Sequence, residues 1–305
     1  MNSYFTVPAG VTQLEFEVAG GAGGGNGAWA GSGSLVRGTL VVTPGELLTL
    51  TVGQGGWQDD VELATITRPE VPGGGGYGDG GSVPEVNRLW SDNTTVVTTQ
   101  GGSGGGGSAI LSGTTPLVVA GGGGGRHHGV WEQTDWTRTT NATAGNGNQP
   151  NSAITNRLNR NGNSFYLEGG AANGASGGTP GTGGVAATNI GGATVTVGNS
   201  GNGRNGGAGR GTGVNNSQVL TGTTSTKLRT ASGAGGGGYA GGGAGGTAGY
   251  TNNVTKAVLG GPGGGGSNFA ATRAAVTATS LANNDTGPAN TRRPGWITLR
   301  YQICT

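Results

Sequence analysis

Thr115-Pro116-Leu117-Val118-Val119-Ala120-Gly121-Gly122-Gly123-Gly124-Gly125 is the stretch from which the architecture of this chain follows. A short apolar run, Leu117–Ala120, passes without a turn into five consecutive glycines. A buried strand ordinarily ends in a turn, and a flexible linker has no apolar run feeding it. The junction predicts a β framework from which ordered glycine segments emerge.

Glycine occupies 75 of the 305 positions and proline 11. Together they make up roughly 28%, and Leu, Ile, Val and Phe only roughly 17%, levels usual in low-complexity or disordered chains. Two features oppose disorder. Charged residues are 10% with a net charge of +2, whereas solvated disordered chains are charge-rich. The apolar residues also cluster into strand-like runs. A thin hydrophobic core then leaves backbone hydrogen bonds to hold much of the structure, since every N–H and C=O shielded from water needs a partner.

Outward from 115–125, strands are expected within 4–19, 34–52, 94–99, 115–120, 254–259 and 295–303, in a single β domain spanning 1–305. In 4–19, Val11, Leu14, Phe16 and Val18 give the alternation of a half-buried strand. Within 34–52, Pro44-Gly45-Glu46 supplies a turn between Leu35–Thr43 and Leu47–Val52. Residues 141–165 lack periodicity and are expected to be loop. Ala270–Leu281 is the one helix candidate, and its Thr and Val content argues against it.

Glycine segments lie at 20–27, 73–76, 101–107, 121–125, 169–184, 201–213, 233–249 and 260–266. Flexible linker is the default for such runs. Phosphate-cradling loops are disfavoured, because no Gly-Lys-Ser/Thr follows and no strand–loop–helix context exists. The favoured reading is a bundle of extended polyglycine helices of the polyproline-II type, with three residues per turn, about 3.1 Å rise and no internal hydrogen bonds. Segments of about 5–8 residues would be about 16–25 Å long at that rise, which matches the span of strands, and the recurrence of similar run lengths favours the bundle over linkers.

Chemistry-bearing residues concentrate after Gly125. Arg126, His127, His128, Trp131, Asp135, Trp136 and Arg138 form the most varied stretch, with Trp57 a weaker companion. Trp and Arg are typical interface anchors, so this group is the candidate receptor-binding surface. The competing reading is that the tryptophans cover the ends of the glycine bundle, and that His127 and His128 sit at an exposed loop tip. Trp29, Tyr239 and Tyr250 are expected as caps or spacers of the bundle. Adjacent histidines of an extended chain face opposite ways, which disfavours a shared metal; neither a metal nor a cofactor is expected. No Gly-x-Ser-x-Gly elbow is present, and Asp59-Asp60 alone do not make a hydrolase, so no enzyme activity is expected.

Cys304 has no partner for an intrachain disulfide. Residues 1–25 show no secretory signal, and no apolar stretch approaches membrane-spanning length. The small, dispersed charge does not suggest nucleic acid. Asn93, Asn141, Asn215, Asn253 and Asn284 match the glycosylation pattern, as chance allows in an Asn/Thr-rich chain.

Phe5-Thr6-Val7-Pro8-Ala9-Gly10-Val11-Thr12 followed by Leu14–Gly25 resembles the opening of glycine-rich domains in phage tail and bacterial surface proteins. Pro116–Arg126 resembles the strand-into-polyglycine motif in the glycine-rich domain of anaplastic lymphoma kinase-type receptors, and Pro294–Tyr301 the closing strand of the phage domains. The resemblance implies a jelly-roll or tumour-necrosis-factor-like β-sandwich carrying a polyglycine-II bundle. It also implies a virion protein made in the host cytoplasm: a tail-fibre or tail-tip adhesin, or a surface decoration. Such a protein would be oligomeric, contact other virion proteins of tail fibre or capsid, and bind a host surface protein or glycan through loops. A structural subunit of a bacterial extracellular filament or surface layer is the alternative. An ice-binding role is disfavoured, for Thr is not regularly spaced on a Gly-x-x period.

Overall fold

The computed structural model describes residues 2–25, 29–58, 70–84, 95–127, 130–132, 137–139, 143–149, 153, 156–160, 165–203, 217–221, 226–251, 256–286 and 291–302. Its strands are β1 (Asn2–Thr6), β2 (Gln13–Ala19), β3 (Ser34–Val41), β4 (Leu47–Thr51), β5 (Thr95–Gln100), β6 (Ser108–Ser112) and β7 (Thr115–Ala120). Next come β8 (Val130–Glu132), β9 (Thr137–Thr139), β10 (Asn156–Arg160), β11 (Phe165–Gly169), β12 (Ala187–Thr188), β13 (Thr194–Thr196) and β14 (Ser217–Thr221). The last are β15 (Thr226–Ala231), β16 (Thr247–Thr251), β17 (Lys256–Gly260), β18 (Phe269–Ala270), β19 (Ala274–Leu281) and β20 (Trp296–Arg300). The fold is all-β, with no α-helix among the described residues.

Two sheets form a sandwich, one ordered β1-β4-β6-β7-β18 and the other β19-β3-β2-β20. Alternation along β2 drives it. Leu14, Phe16 and Val18 point inward and are buried with Val36, Leu40, Leu48, Ile110 and Val118, while Gln13 and Glu15 face water. Between β3 and β4, Gly45 takes φ 82°, which a glycine after proline supplies in a type II turn. The turn end is tied down by Glu46, whose carboxylate receives Arg273 Nη2 at 2.6 Å and Ser112 Oγ at 2.8 Å.

The helix disfavoured over Ala270–Leu281 does not form: β19 pairs there with β3 from Ser34 to Leu40. One sequence expectation needs correction. Residues 141–165 are not all loop. They include β10, where Leu158 stands opposite Leu167 of β11 in a small core with Ala257 and Leu259. One buried leucine per strand leaves no readable period.

The glycine segments pack as rods between the sandwich and the smaller sheets. In the rod Gly121–Arg126, the Gly122 and Gly125 amides donate to Gly237 and Ala234, those of Gly123 and Arg126 to Gly21 and Gly24, and that of Gly124 to Gly145. Its carbonyls follow the same step of three: Gly121 and Gly124 accept from Ser34 and Gly31, Gly122 and Gly125 from Gly266 and Gly263, Gly123 and Arg126 from Gly105 and Gly102. A partner that recurs every third residue requires a threefold screw, the geometry of a polyproline-II helix. The φ values agree, since none in this run is positive. Gly101–Gly107 repeats the arrangement, donating to Arg126 and Gly123, to Trp57 and Gln54, and to Ala231, Gly81 and Gly78. Each of these two rods is thereby surrounded on all sides by other rods.

At most rod positions only glycine fits. A Cβ on Gly125 would lie 1.8 Å from the Gly102 carbonyl oxygen. Pro262 occupies one rod position without cost to the lattice. It shares its facing with Gly265, three residues on, whose N–H makes no backbone bond among the described residues, so the amide that proline lacks is not missed.

Where a neighbouring rod is missing, a carboxamide takes its place. Asn268 Oδ1 accepts from the Gly121 N–H at 2.8 Å, and Asn146 Oδ1 from the Ser32 N–H at 2.9 Å. Asn284 Oδ1 accepts from Gly33 N–H at 3.0 Å, while its Nδ2 donates to the carbonyls of Gly20 and Pro294. Asn284 is also the one sequon asparagine among the described residues, and its amide is fully engaged in the lattice. Arg293 completes the rod from Gly20 in the same way, with Nη2 donating to the Gly25 carbonyl at 2.6 Å. Burial holds its guanidinium pKa below the ordinary value, partly offset by the charge of Asp285.

Candidate functional site

The residues singled out after Gly125 divide at His127. Arg126 is the last turn of the central rod. Its N–H donates to Gly24 at 3.0 Å, its carbonyl accepts from Gly102 at 2.7 Å, and its side chain is buried. His127 is fully buried. Its Nε2 lies 2.7 Å from Thr230 Oγ1, and its ring fills the space over Gly260, where a Cβ would meet ring atoms at 2.6 Å. Burial of His127 corrects the reading of that histidine as part of an exposed tip, and burial of both side chains takes Arg126 and His127 out of the candidate receptor-binding surface. The rod extends one residue beyond the last glycine, and the histidine plugs the junction where β15 and β17 enter the bundle.

Beyond it the chain is not a simple loop. β8 pairs antiparallel with β17, placing Trp131 opposite Ala257, and β9 pairs with β10, placing Arg138 opposite Leu158. The sheets that hold them are ordered β13-β16-β17-β8 and β12-β11-β10-β9. Trp131 and Arg138 therefore occupy strand positions on neighbouring sheets at the far end of the rods, joined by the short connection that carries Asp135 and Trp136. His128, Asp135 and Trp136 lie outside the described residues.

Trp57 belongs to the bundle. Its N–H donates to Ser103 Oγ at 2.8 Å, its carbonyl accepts from the Ser103 N–H at 2.9 Å, and its half-buried ring packs on Val71, Val83, Ala231 and Ala234. Tyr239 marks the turn between two rods and stacks on Phe269 with centroids 4.2 Å apart, covering the outer face of β6 and β7 together with Tyr77. Burial pushes the Tyr77 phenol up to about 12. Tyr250 packs against the core around Leu158 and Leu167, and Trp29 is 40% exposed.

Among the described residues no three His, Cys, Asp or Glu side chains come together as a metal site. The lattice-completing roles of Asn146, Asn268, Asn284 and Arg293 were not foreseen. Their trace in the sequence is slight: Asn146 and Asn268 come just after glycines, Asn284 soon after β19, and Arg293 two residues before Gly295. No protein-family model matches the chain, and no curated protein matches it at a significant level.

Proposed function

We propose that this chain is a non-enzymatic virion structural protein, a tail-fibre or tail-tip adhesin or a surface decoration, that binds a host surface protein or glycan. The observation that carries the reading is the hydrogen-bonded rod lattice, in which Gly121–Arg126 runs from sandwich strand β7 toward β8. A rod with every neighbour hydrogen-bonded is a strut, here between sandwich strand β7 and strand β8. The resemblance of the opening, junction and closing motifs to phage glycine-rich domains supports the same reading. On it, Trp131, Asp135, Trp136 and Arg138 contact the host, with His128 beside them. Adhesion of the purified protein to host cells tests it: a Trp131→Ala, Trp136→Ala double variant that adheres as well as wild type overturns the site.

A structural subunit of a bacterial filament or surface layer is the second reading. It is favoured by three exposed valines at one sheet edge, Val195 in edge strand β13 and Val197 beside it, bridged to Val185; exposed apolar edges promote strand-to-strand association. Spontaneous filaments of purified protein, without adhesion, would select it.

A further inference from the structure

The outward face of the sheet β19-β3-β2-β20 carries polar side chains that neither the rods nor the core uses. At its β20 edge lies a cavity of about 440 Å³ lined by Thr12, Gln13, Glu15, Arg300, Tyr301 and Gln302. A second, of about 250 Å³, runs over the middle of the sheet past Glu17, Arg37, Thr39 and Thr277. Both are bounded by Glu15 and Arg300, so the two form one continuous groove across three strands. The larger part alone falls within the range of about 300–1,000 Å³ usual for ligand sites.

The groove is closely balanced in charge. Glu15 stands opposite Arg300 in the β2–β20 pairing, and Glu17 Oε1 lies 3.4 Å from both Arg37 Nε and Arg300 Nη1. Two carboxylates against two guanidinium groups leave no net charge to attract a phosphate or a polyanion. What remains is a set of flat groups, each with several donors or acceptors: two carboxylates, two guanidinium groups and the amides of Gln13 and Gln302. Beside them is one aromatic surface, Tyr301, 41% exposed and steadied by Phe5 at 6.0 Å between ring centroids. Aromatic rings offer a large apolar face with a polar handle. A ligand that matches has many hydroxyls in fixed directions, a C–H face to lay on a ring, no charge, and length enough to cross three strands.

We propose that this groove binds a neutral oligosaccharide, with Tyr301 as the stacking platform and Glu15, Arg300, Gln13 and Gln302 as hydroxyl partners. The site is on the sandwich, away from β8 and β9, and does not depend on the adhesin reading. Saturation-transfer NMR and titration calorimetry on the full chain test it, with maltohexaose, cellohexaose, chitohexaose and mannohexaose as probes and a heparin-derived hexasaccharide as the anionic comparator. At least one neutral hexasaccharide is expected to bind. Tyr301→Ala and Glu15→Gln should each weaken it at least tenfold, while Thr279→Ala, on the same sheet but outside the groove, leaves it unchanged. Thermal midpoints equal to wild type confirm that the variants are folded. The proposal is overturned if none of the four binds at millimolar concentration, if the heparin hexasaccharide binds tighter than all of them, or if both variants bind like wild type.

Discussion

Asn268 accepts the Gly121 N–H at 2.8 Å, at the point where strand β7 becomes the central rod. The same oxygen also receives the Ser34 hydroxyl, and the Asn268 N–H donates to Asn148 Oδ1 at 3.1 Å. One residue therefore joins three segments: its carboxamide ties the end of β7 to the start of β3, and its backbone N–H reaches the connection that follows Gly145. Removing the carboxamide strands a shielded donor, and a buried donor without a partner costs about 1–3 kcal/mol. Asn268→Ala is expected to lower unfolding free energy by that amount in urea denaturation, with the m-value unchanged. A loss below about 0.5 kcal/mol would show that water replaces the carboxamide there.

Glycine positions should differ sharply in what they tolerate. At Gly125 the new methyl meets the Gly102 carbonyl at 1.8 Å, and at Gly104 the Gly235 carbonyl at 1.9 Å. Neither neighbour is free to move, because each is bonded on its other sides. Gly125→Ala should therefore cost at least about 3 kcal/mol, at or beyond the upper end of overpacking penalties. At Gly191 a Cβ meets nothing within 4 Å, and Gly191→Ala should leave stability unchanged or raise it by about 0.4–1 kcal/mol. Thermal unfolding of the two variants side by side decides the matter.

Amide exchange offers an independent check on the lattice. Gly104, Gly105, Gly122, Gly123 and Gly124 all donate to other rods at 2.7–3.0 Å, so they should exchange only when the whole protein opens. Rapid exchange at these amides in native buffer would contradict an ordered bundle.

Glu46 makes the sandwich sensitive to acid. The hydrogen bond from Arg273, opposed by burial and reinforced by Ser112 and Thr43, holds its carboxyl near 2 against an ordinary 4.5. A depressed folded-state pKa means the charged form is favoured by folding. The stabilisation is complete above about pH 4.5 and drains away as pH falls toward 2. Glu46→Gln should lower stability at pH 7 and flatten its dependence between pH 5 and 2. Equal slopes for the two proteins in that window would remove Glu46 from the account.

The all-β class was legible because Leu14, Phe16 and Val18 alternate and because Leu117–Ala120 is too short and apolar to be anything but a strand. The ordered state of the glycine runs was legible from three signs: too little charge for a solvated coil, too few large side chains for an ordinary core, and an apolar strand, Leu117–Ala120, that feeds straight into glycine. What escaped the sequence was whatever depends on distant partners. His127 looks like a surface histidine until Thr230, 103 residues away, and Gly260 close around it. The alanines of 274–281 acquire their strand conformation from β3, more than 230 residues earlier. The carboxamides of Asn146, Asn268 and Asn284 resemble ordinary loop asparagines, because the bonds they supply belong to rods that do not exist until the chain has folded. The groove at Glu15, Arg300 and Tyr301 was likewise invisible, being made of the outward positions of strands whose inward positions drew attention.

A run such as Gly121–Gly125 is a screw without a mark on its thread. Advancing such a rod by one residue and turning it by a third of a revolution superimposes its backbone on itself, so the glycines cannot tell one setting from the next. The few residues that break the symmetry must do so: Asn268 at one end, the buried Arg126 and His127 at the other, Ser103 and Pro262 in neighbouring rods. A single inserted glycine would be absorbed silently inside the rod and felt only at its two ends, as a slip of about 3.1 Å between a strand and its partners. The choice among otherwise equivalent settings of the bundle thus rests on a handful of side chains, and errors in folding this chain should be errors of indexing.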